Sequence, residues 1–144
     1  WKIVDQKANN IRGKASTGGS FIQRDLNTTI GTNTITGSSL SSNQFTLPSG
    51  TYRIFSTNQI YTADRHRAKL RNVTDSSDVL LGTSEVAGAT VGATSSSFIT
   101  GIFTITSTKV FEIQHYTQTT GNFGLEANSG LPEIYGTVEL WKLA

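Results

Sequence analysis

The sequence predicts an all-β fold, an antiparallel sandwich of about eight to ten short strands. Along most of the chain apolar residues alternate with polar ones, as they do in strands that bury one face. Clusters of Gly, Asn, Ser and Thr separate these runs at the short spacing that sandwiches and barrels show. No stretch carries a sustained helical period of apolar residues, which argues against a helical fold.

The composition predicts one domain with a weakly charged surface. A chain of 144 residues can form a substantial core, and we divide it into N-terminal strands and loops (residues 1–42) and a core sandwich (residues 43–144). Charged residues make up 15% of the chain and cysteine is absent, which excludes a disulfide framework and a thiolate zinc site. The net charge of +2 and the lack of a long apolar run favour neither a nucleic-acid partner nor membrane insertion.

The N-terminal part is predicted to contain short strands joined by irregular segments. In order these are an edge strand, a loop, a strand, and a Thr/Ser/Asn-rich segment forming either a strand pair or a long ordered loop (residues 1–4, 7–19, 20–30 and 31–42).

Residues 43–55 form the stretch around which the other strands are predicted to be arranged. Apolar residues alternate on both sides of Pro48-Ser49-Gly50 (Phe45 and Leu47 before it, Tyr52 and Ile54 after it). Proline presets the backbone of a tight turn, and glycine tolerates the conformation that closes it. We therefore predict a β-hairpin here.

Further strands are predicted over the rest of the chain (residues 56–61, 65–73, 79–85, 98–105, 110–116 and 134–143). A polar loop precedes the last of them (residues 118–130). Alternation assigns one group of aromatic residues to the core (Phe21, Phe45, Phe55, Phe103 and Phe111). A second group is a candidate for a subunit interface or for stacking on sugars (Tyr61, Tyr116, Phe123 and Tyr135).

Three segments together resemble known proteins. The run Phe45-Thr46-Leu47-Pro48-Ser49-Gly50-Thr51-Tyr52-Arg53-Ile54 resembles the F-T-x-P-x-x-G-x-Y-x-F stretch of the complement/tumour-necrosis-factor superfamily of trimeric jelly rolls. Residues 65–75 and 133–142 are similar to segments of small fibre-type structural proteins of tailed bacteriophages. The resemblance implies a homotrimeric jelly-roll head on a virion, placed on the capsid or at the end of a longer fibre or spike.

Four basic residues alternate along the strand predicted at residues 65–73, so one face of that strand carries them all (Arg65, Arg67, Lys69 and Arg71). Guanidinium groups match the geometry of phosphate and carboxylate. This basic stripe is therefore a candidate site for acidic or phosphorylated surface polysaccharides. The alternative is a solvated face, or one neutralised by a carboxylate of a neighbouring strand or subunit (Glu85, Glu112 or Glu139).

The polar loop is a second candidate contact for sugars. Amide and aromatic side chains cluster there and just before it (Tyr116, Gln118, Asn122 and Phe123). Catalysis and metal binding find little support. His66 and His115 lack the companions that a metal site requires and are predicted to be hydrogen-bonded structural residues. Residues 82–86 begin like a nucleophile elbow but lack its closing glycine. We assign no catalytic residue, metal or cofactor.

These observations and the resemblance lead us to expect a non-enzymatic virion protein that attaches to a host surface glycan as a homotrimer. Its expected partners are copies of itself, other virion proteins and a host polysaccharide. Two alternatives stay open: a capsid decoration or head-fibre protein that contacts only other virion proteins, and a monomeric carbohydrate-binding module. Three linked sites would strengthen individually weak contacts.

Overall fold

The computed structural model describes residues 1–144 and has twelve strands and no helix. The strands are β1 (Lys2–Lys7), β2 (Ser20–Gln23), β3 (Thr28–Ile30), β4 (Ser39–Ser41), β5 (Gln44–Leu47), β6 (Gly50–Tyr61), β7 (Asp64–Asn72), β8 (Ser77–Leu81), β9 (Glu85–Ala87), β10 (Thr94–Ile105), β11 (Lys109–Thr117) and β12 (Glu133–Lys142). The predicted all-β sandwich is confirmed. It contains more strands than predicted because several are only three or four residues long.

Two antiparallel sheets form the sandwich. Sheet I has the order β10-β6-β12-β1-β3, and sheet II has the order β4-β5-β11-β7-β8 with β9 also paired to β7. Strands far apart in sequence lie side by side, β1 with β12 and β5 with β11, in a jelly-roll-like arrangement. Residues 1–42 therefore belong to the sandwich as much as residues 43–144 do.

The predicted hairpin at residues 43–55 is wrong. Before the turn, β5 lies in sheet II and pairs with β4 and β11; after it, β6 lies in sheet I and pairs with β10 and β12. The turn at Pro48 carries the chain from one sheet to the other, and the Tyr52 hydroxyl donates to the Pro48 carbonyl at 2.7 Å. Both flanking runs alternate because each buries one face in the same core, so alternation cannot distinguish this crossing from a hairpin.

The core between the sheets consists mainly of large aliphatic and aromatic side chains. Phe45, Phe103 and Phe111 are buried in it, as predicted. Phe21 and Phe55 are not core residues, since 40% and 38% of their surfaces are exposed. Phe21 lies on the outer side of β2. The alternation of the sequence did not separate this short strand from the residues that follow it.

The stretch predicted as one strand at residues 20–30 is divided into β2 and β3. β2 runs beside β11, and at its end the Arg24 N–H donates to the Ile113 carbonyl at 3.0 Å. β3 instead pairs with β1 in the other sheet. Arg24 and Leu26, both fully buried, lie where the chain crosses between the sheets.

The polar loop at residues 118–130 is held in place by ionic and hydrogen-bonding contacts. The Glu133 carboxylate accepts backbone N–H bonds from Asn10, Ala127 and Asn128 at 3.2, 3.0 and 2.9 Å, and these bonds lower its pKa. Arg12 forms a bidentate pair with Glu126, with both distances at 2.9 Å. The loop is therefore fixed against β12 and the segment after β1.

Candidate functional site

The basic stripe lies on β7, where alternation places its four side chains on the outer face of sheet II (Arg65, Arg67, Lys69 and Arg71). Between them, His66, Ala68 and Leu70 point inwards and are buried. The four basic side chains therefore share the outer face, as the alternation in the sequence predicts.

The stripe does not act as one charged surface. Asp78 on β8 binds both Lys69 and Arg71, at 3.0 and 2.9 Å. The Lys69 ammonium also lies 4.0 Å from the centre of the Phe21 ring. Within the chain, none of Glu85, Glu112 and Glu139 pairs with the stripe, so neutralisation by a neighbouring strand was predicted with the wrong residues. Asp78, in the hairpin that follows the stripe, pairs with the two distal cations only.

Arg65 and Arg67 keep their charges free. Neither has a carboxylate oxygen within 4.0 Å. The Arg67 Nε donates to the Gly82 carbonyl at 3.0 Å, which fixes the side chain and leaves its two terminal nitrogens available. The Arg65 guanidinium makes no hydrogen bond within the chain. Together they offer guanidinium donors to an anionic ligand.

These two arginines line the larger of two surface depressions, with a cavity volume of about 520 Å³. We call it the arginine groove; its lining residues are Phe21, Arg65, His66, Arg67, Ser84, Glu85, Val86 and Tyr116. Tyr116 lies directly opposite Arg67 on β11, and its ring centre is 5.5 Å from that of Phe21. An aromatic wall therefore stands beside two free guanidinium groups, and the volume falls in the range of small-ligand sites.

Glu85 is the acidic member of the groove. It lies opposite His66 where β9 pairs with β7. Of the ten Asp and Glu residues, Glu85 alone makes neither an ion pair nor a hydrogen bond through its carboxylate. The groove thus brings together two free arginines and the one free carboxylate.

The other candidate sugar contacts, which lie in the polar loop, do not line the groove. Gln118 is exposed at its edge, where the Gln118 N–H donates to the Arg65 carbonyl at 2.8 Å. Asn122 is engaged through its backbone with Tyr61, at 2.7 and 3.0 Å. Phe123 is fully buried, so its assignment as a sugar contact is wrong. Tyr135, also proposed for the surface, is 2% exposed.

Behind the groove, a chain of buried polar groups crosses the sandwich. Arg24 Nη1 lies 2.9 Å from His115 Nδ1, His115 Nε2 lies 2.9 Å from His66 Nδ1, and His66 Nε2 lies 2.6 Å from Ser95 Oγ. We call these four residues the polar relay. It joins β11 and β7 of sheet II to β10 of sheet I. The histidines are hydrogen-bonded structural residues, as the sequence predicts.

Arg24 anchors the relay. Its guanidinium donates to the carbonyls of Gln59, Phe123 and Tyr135 at 2.8, 3.2 and 2.9 Å, and it lies 4.3 Å above the Phe123 ring. Asp5 is its only ionic partner, at 3.6 Å, and the Asp5 carboxylate makes no hydrogen bond. Burial lowers the pKa of Arg24 to about 10, which leaves it charged at neutral pH, and raises the pKa of Asp5.

Arg24 also sets the direction of every hydrogen bond in the relay. A guanidinium only donates, so His115 Nδ1 must accept. His115 then carries its proton on Nε2 and donates to His66 Nδ1, and His66 donates from Nε2 to Ser95 Oγ. His66 therefore cannot take the Ser95 proton in this arrangement, so the relay does not activate Ser95 as a nucleophile.

Both relay histidines are neutral in the folded protein. Burial, aided by the Arg24 charge, lowers the pKa of His115 well below its ordinary value of 6.5. Burial also lowers the pKa of His66 to about 4, although Glu85 opposes that shift. The relay is thus assembled without a net charge on its imidazoles.

We expect the free energy of unfolding to fall as the pH decreases from 6.5 to about 4. In this window the unfolded chain binds more protons at His66 and His115 than the folded chain does, so each histidine contributes a slope of at most about 1.4 kcal/mol per pH unit. Asp5 acts in the opposite direction, because its raised pKa favours proton binding by the folded state. Urea unfolding at several pH values measures the slope; stability that is constant across the window would contradict the prediction.

Comparison with known proteins leaves the groove as the main guide to function. The chain matches no protein-family model and no curated protein sequence. The structure has no group of three or more His, Cys, Asp and Glu side chains placed to hold a metal ion, and no helix of the length and apolarity that a membrane crossing requires.

Proposed function

We propose that this chain is the jelly-roll head domain of a phage fibre or spike, that it acts as a homotrimer on the virion surface, and that it attaches to a host surface glycan without catalysis or a cofactor. The resemblance of three segments (residues 45–54, 65–75 and 133–142) to trimeric jelly rolls and phage structural proteins supports the setting. The arginine groove supports the binding role, because an aromatic pair and two unpaired guanidinium groups converge in one concavity.

The groove favours an acidic glycan. Arg65 and the terminal nitrogens of Arg67 suit a carboxylate or phosphate group, while the faces of Tyr116 and Phe21 suit the apolar face of a sugar ring. Exposed charge–charge contacts are weakened by salt, so one such site is weak alone and gains from a trimer.

An apolar surface on the other sheet supports the trimer. Phe55, Phe98, Ile102 and Trp141 point outwards from sheet I and are 38%, 43%, 62% and 46% exposed. Phe55 and Phe98 stack at 6.4 Å, and Arg53 lies in register between Ile102 and Trp141. Exposed apolar side chains that lie together on one face favour association with another surface. Two further copies of this chain are the occupants that we propose, since burying this face of sheet I would leave the groove on sheet II open.

Light scattering on a sizing column, at several concentrations, tests the assembly. A stable trimer is the expected result. A monomer at every concentration would overturn the fibre-head proposal and favour the monomeric carbohydrate-binding module. A trimer that binds neither host cells nor glycans would instead favour a decoration protein that contacts only other virion proteins.

We expect the double variant Arg65→Ser/Arg67→Ser to lose binding to acidic host polysaccharide while it folds normally. Each charge-assisted contact contributes enough that binding should fall at least about tenfold per arginine. The matched control is Arg71→Ser/Lys109→Ser, which removes the same charge from side chains that are paired with Asp78 and Asp75. Equal binding by the two double variants would show that net charge, not the groove, attracts the glycan.

A further inference from the structure

The polar relay has no place for an additional proton. Arg24 donates a hydrogen bond to His115 at one end. Each of the two facing nitrogen pairs, Arg24–His115 and His115–His66, therefore already contains one donor and one acceptor. A proton added to His66 Nδ1 would face the N–H of His115. If His115 moved its own proton to Nδ1, that proton would face Arg24. Every protonated form therefore sets two donors against each other at a distance of about 2.9 Å.

His66 is the relay member that can leave. Arg24 and His115 are fully buried, and His115 stacks on Phe123 at 5.5 Å. His66 is at the groove end of the relay, where it is 2% exposed and contributes to the groove lining. Its only other relay contact is the Ser95 hydroxyl on β10. A rotation of its side chain would release the conflict without moving the buried arginine.

Glu85 is the available partner for a charged His66. It is paired opposite His66 between β9 and β7, it lines the same groove, and its carboxylate has no other ion pair or hydrogen bond. The other charged groups near His66 are the cations Arg24, beyond His115, and Arg65 and Arg67, on the outer face of its own strand. Asp64, two residues before His66 on β7, is engaged elsewhere, since its carboxylate accepts the Ala89 N–H at 3.2 Å. Asp5 is on the far side of Arg24.

We infer that His66 and Glu85 form an acid-operated switch at the base of the arginine groove. At neutral pH, His66 is held in the relay and Glu85 is free in the groove. On acidification His66 takes up a proton, leaves His115 and Ser95, and pairs with Glu85. The exchange neutralises the one acidic group of the groove and leaves the charges of Arg65 and Arg67 unopposed, so an anionic ligand would bind more tightly in acid. Only this last consequence rests on the proposed function.

NMR of the imidazole ¹⁵N resonances of the full chain tests the switch without any ligand. At pH 7 both histidines should carry their proton on Nε2. On titration His66 should take up a proton first, with a midpoint near 4. In Glu85→Gln that midpoint should fall by about half a pH unit or more, because the carboxylate that stabilises the imidazolium is gone. The control Glu139→Gln, on sheet I and paired with Lys2, should leave it unchanged.

Three results would overturn the inference. An Nδ1 proton on either histidine at pH 7 would mean that the relay does not run from Arg24. Protonation of His115 before His66 would place the switch elsewhere. Equal His66 midpoints in the wild-type chain and Glu85→Gln would show that Glu85 is not the partner. Because no glycan is present, these outcomes are independent of whether the groove binds one.

Discussion

Replacing Arg24 with methionine is expected to destabilise the fold by about 3–5 kcal/mol, the cost of breaking a buried ion pair by removing one partner. Asp5 would be left buried, with only the more distant Lys7 ammonium, at 3.7 Å, as a counter-charge. The carbonyls of Gln59, Phe123 and Tyr135 would each lose a donor. A domain of this kind has only about 5–15 kcal/mol of stability in total. Urea unfolding of the variant measures the loss.

The double variant Asp5→Asn/Arg24→Met separates the ionic part of this loss from the rest. If the buried carboxylate dominates, the double variant should recover part of the stability that the single variant loses. It should not recover all of it, because His115 and the three carbonyls still lack their donor. A single variant as stable as the wild-type chain would show that Arg24 does not join the two sheets.

The variant Gly124→Ala is expected to lose about 3 kcal/mol or more, at the upper end of the cost of overpacking a core. An added Cβ would lie within 1.9 Å of Tyr135 Cδ1. The Tyr135 ring cannot easily move away, because its hydroxyl donates to the Ile11 carbonyl at 2.7 Å and its own carbonyl accepts from Arg24. Chemical unfolding followed by tryptophan fluorescence measures the change.

Two controls distinguish steric conflict from backbone strain in this variant. Gly31 has a positive φ of 72° and no atom within 4 Å of an added Cβ, so Gly31→Ala reports the cost of a left-handed backbone without a clash, about 1–2 kcal/mol. In a Tyr135→Ala background the contacts with the ring are absent, and Gly124→Ala should then cost clearly less than it does in the wild-type chain. An undiminished cost there would mean that the ring is not the obstacle.

Several features were predictable because they depend on neighbouring residues in the sequence. The alternation of residues 65–73 placed the four basic side chains on one face and His66 on the other, and β7 has that arrangement. The same alternation along most of the chain predicted the all-β fold. Two of the eight candidate contacts, Arg65 and Arg67, remain together as free cations, and Tyr116 lies opposite Arg67.

Other features depend on which strands become neighbours, and no local pattern carries that information. Asp78 neutralises Lys69 and Arg71 because β8 folds back on β7. Phe21 becomes the second wall of the groove because β2 runs beside β11. The interval between Phe21 and Tyr116 in the sequence gives no hint of a ring distance of 5.5 Å.

The sequence by itself determined the all-β class, the outward face of the stripe and the hydrogen-bonded character of the histidines. Tertiary structure decided that residues 43–55 cross between sheets, that Phe123 is buried, and that Arg24 and Asp5 lie in the interior. The physical reason is that alternation specifies only which side of a strand is apolar. Whether a polar residue such as Arg24 is buried depends on the partners that meet it there, and those come from four strands (β1, β6, β11 and β12) and the loop before β12.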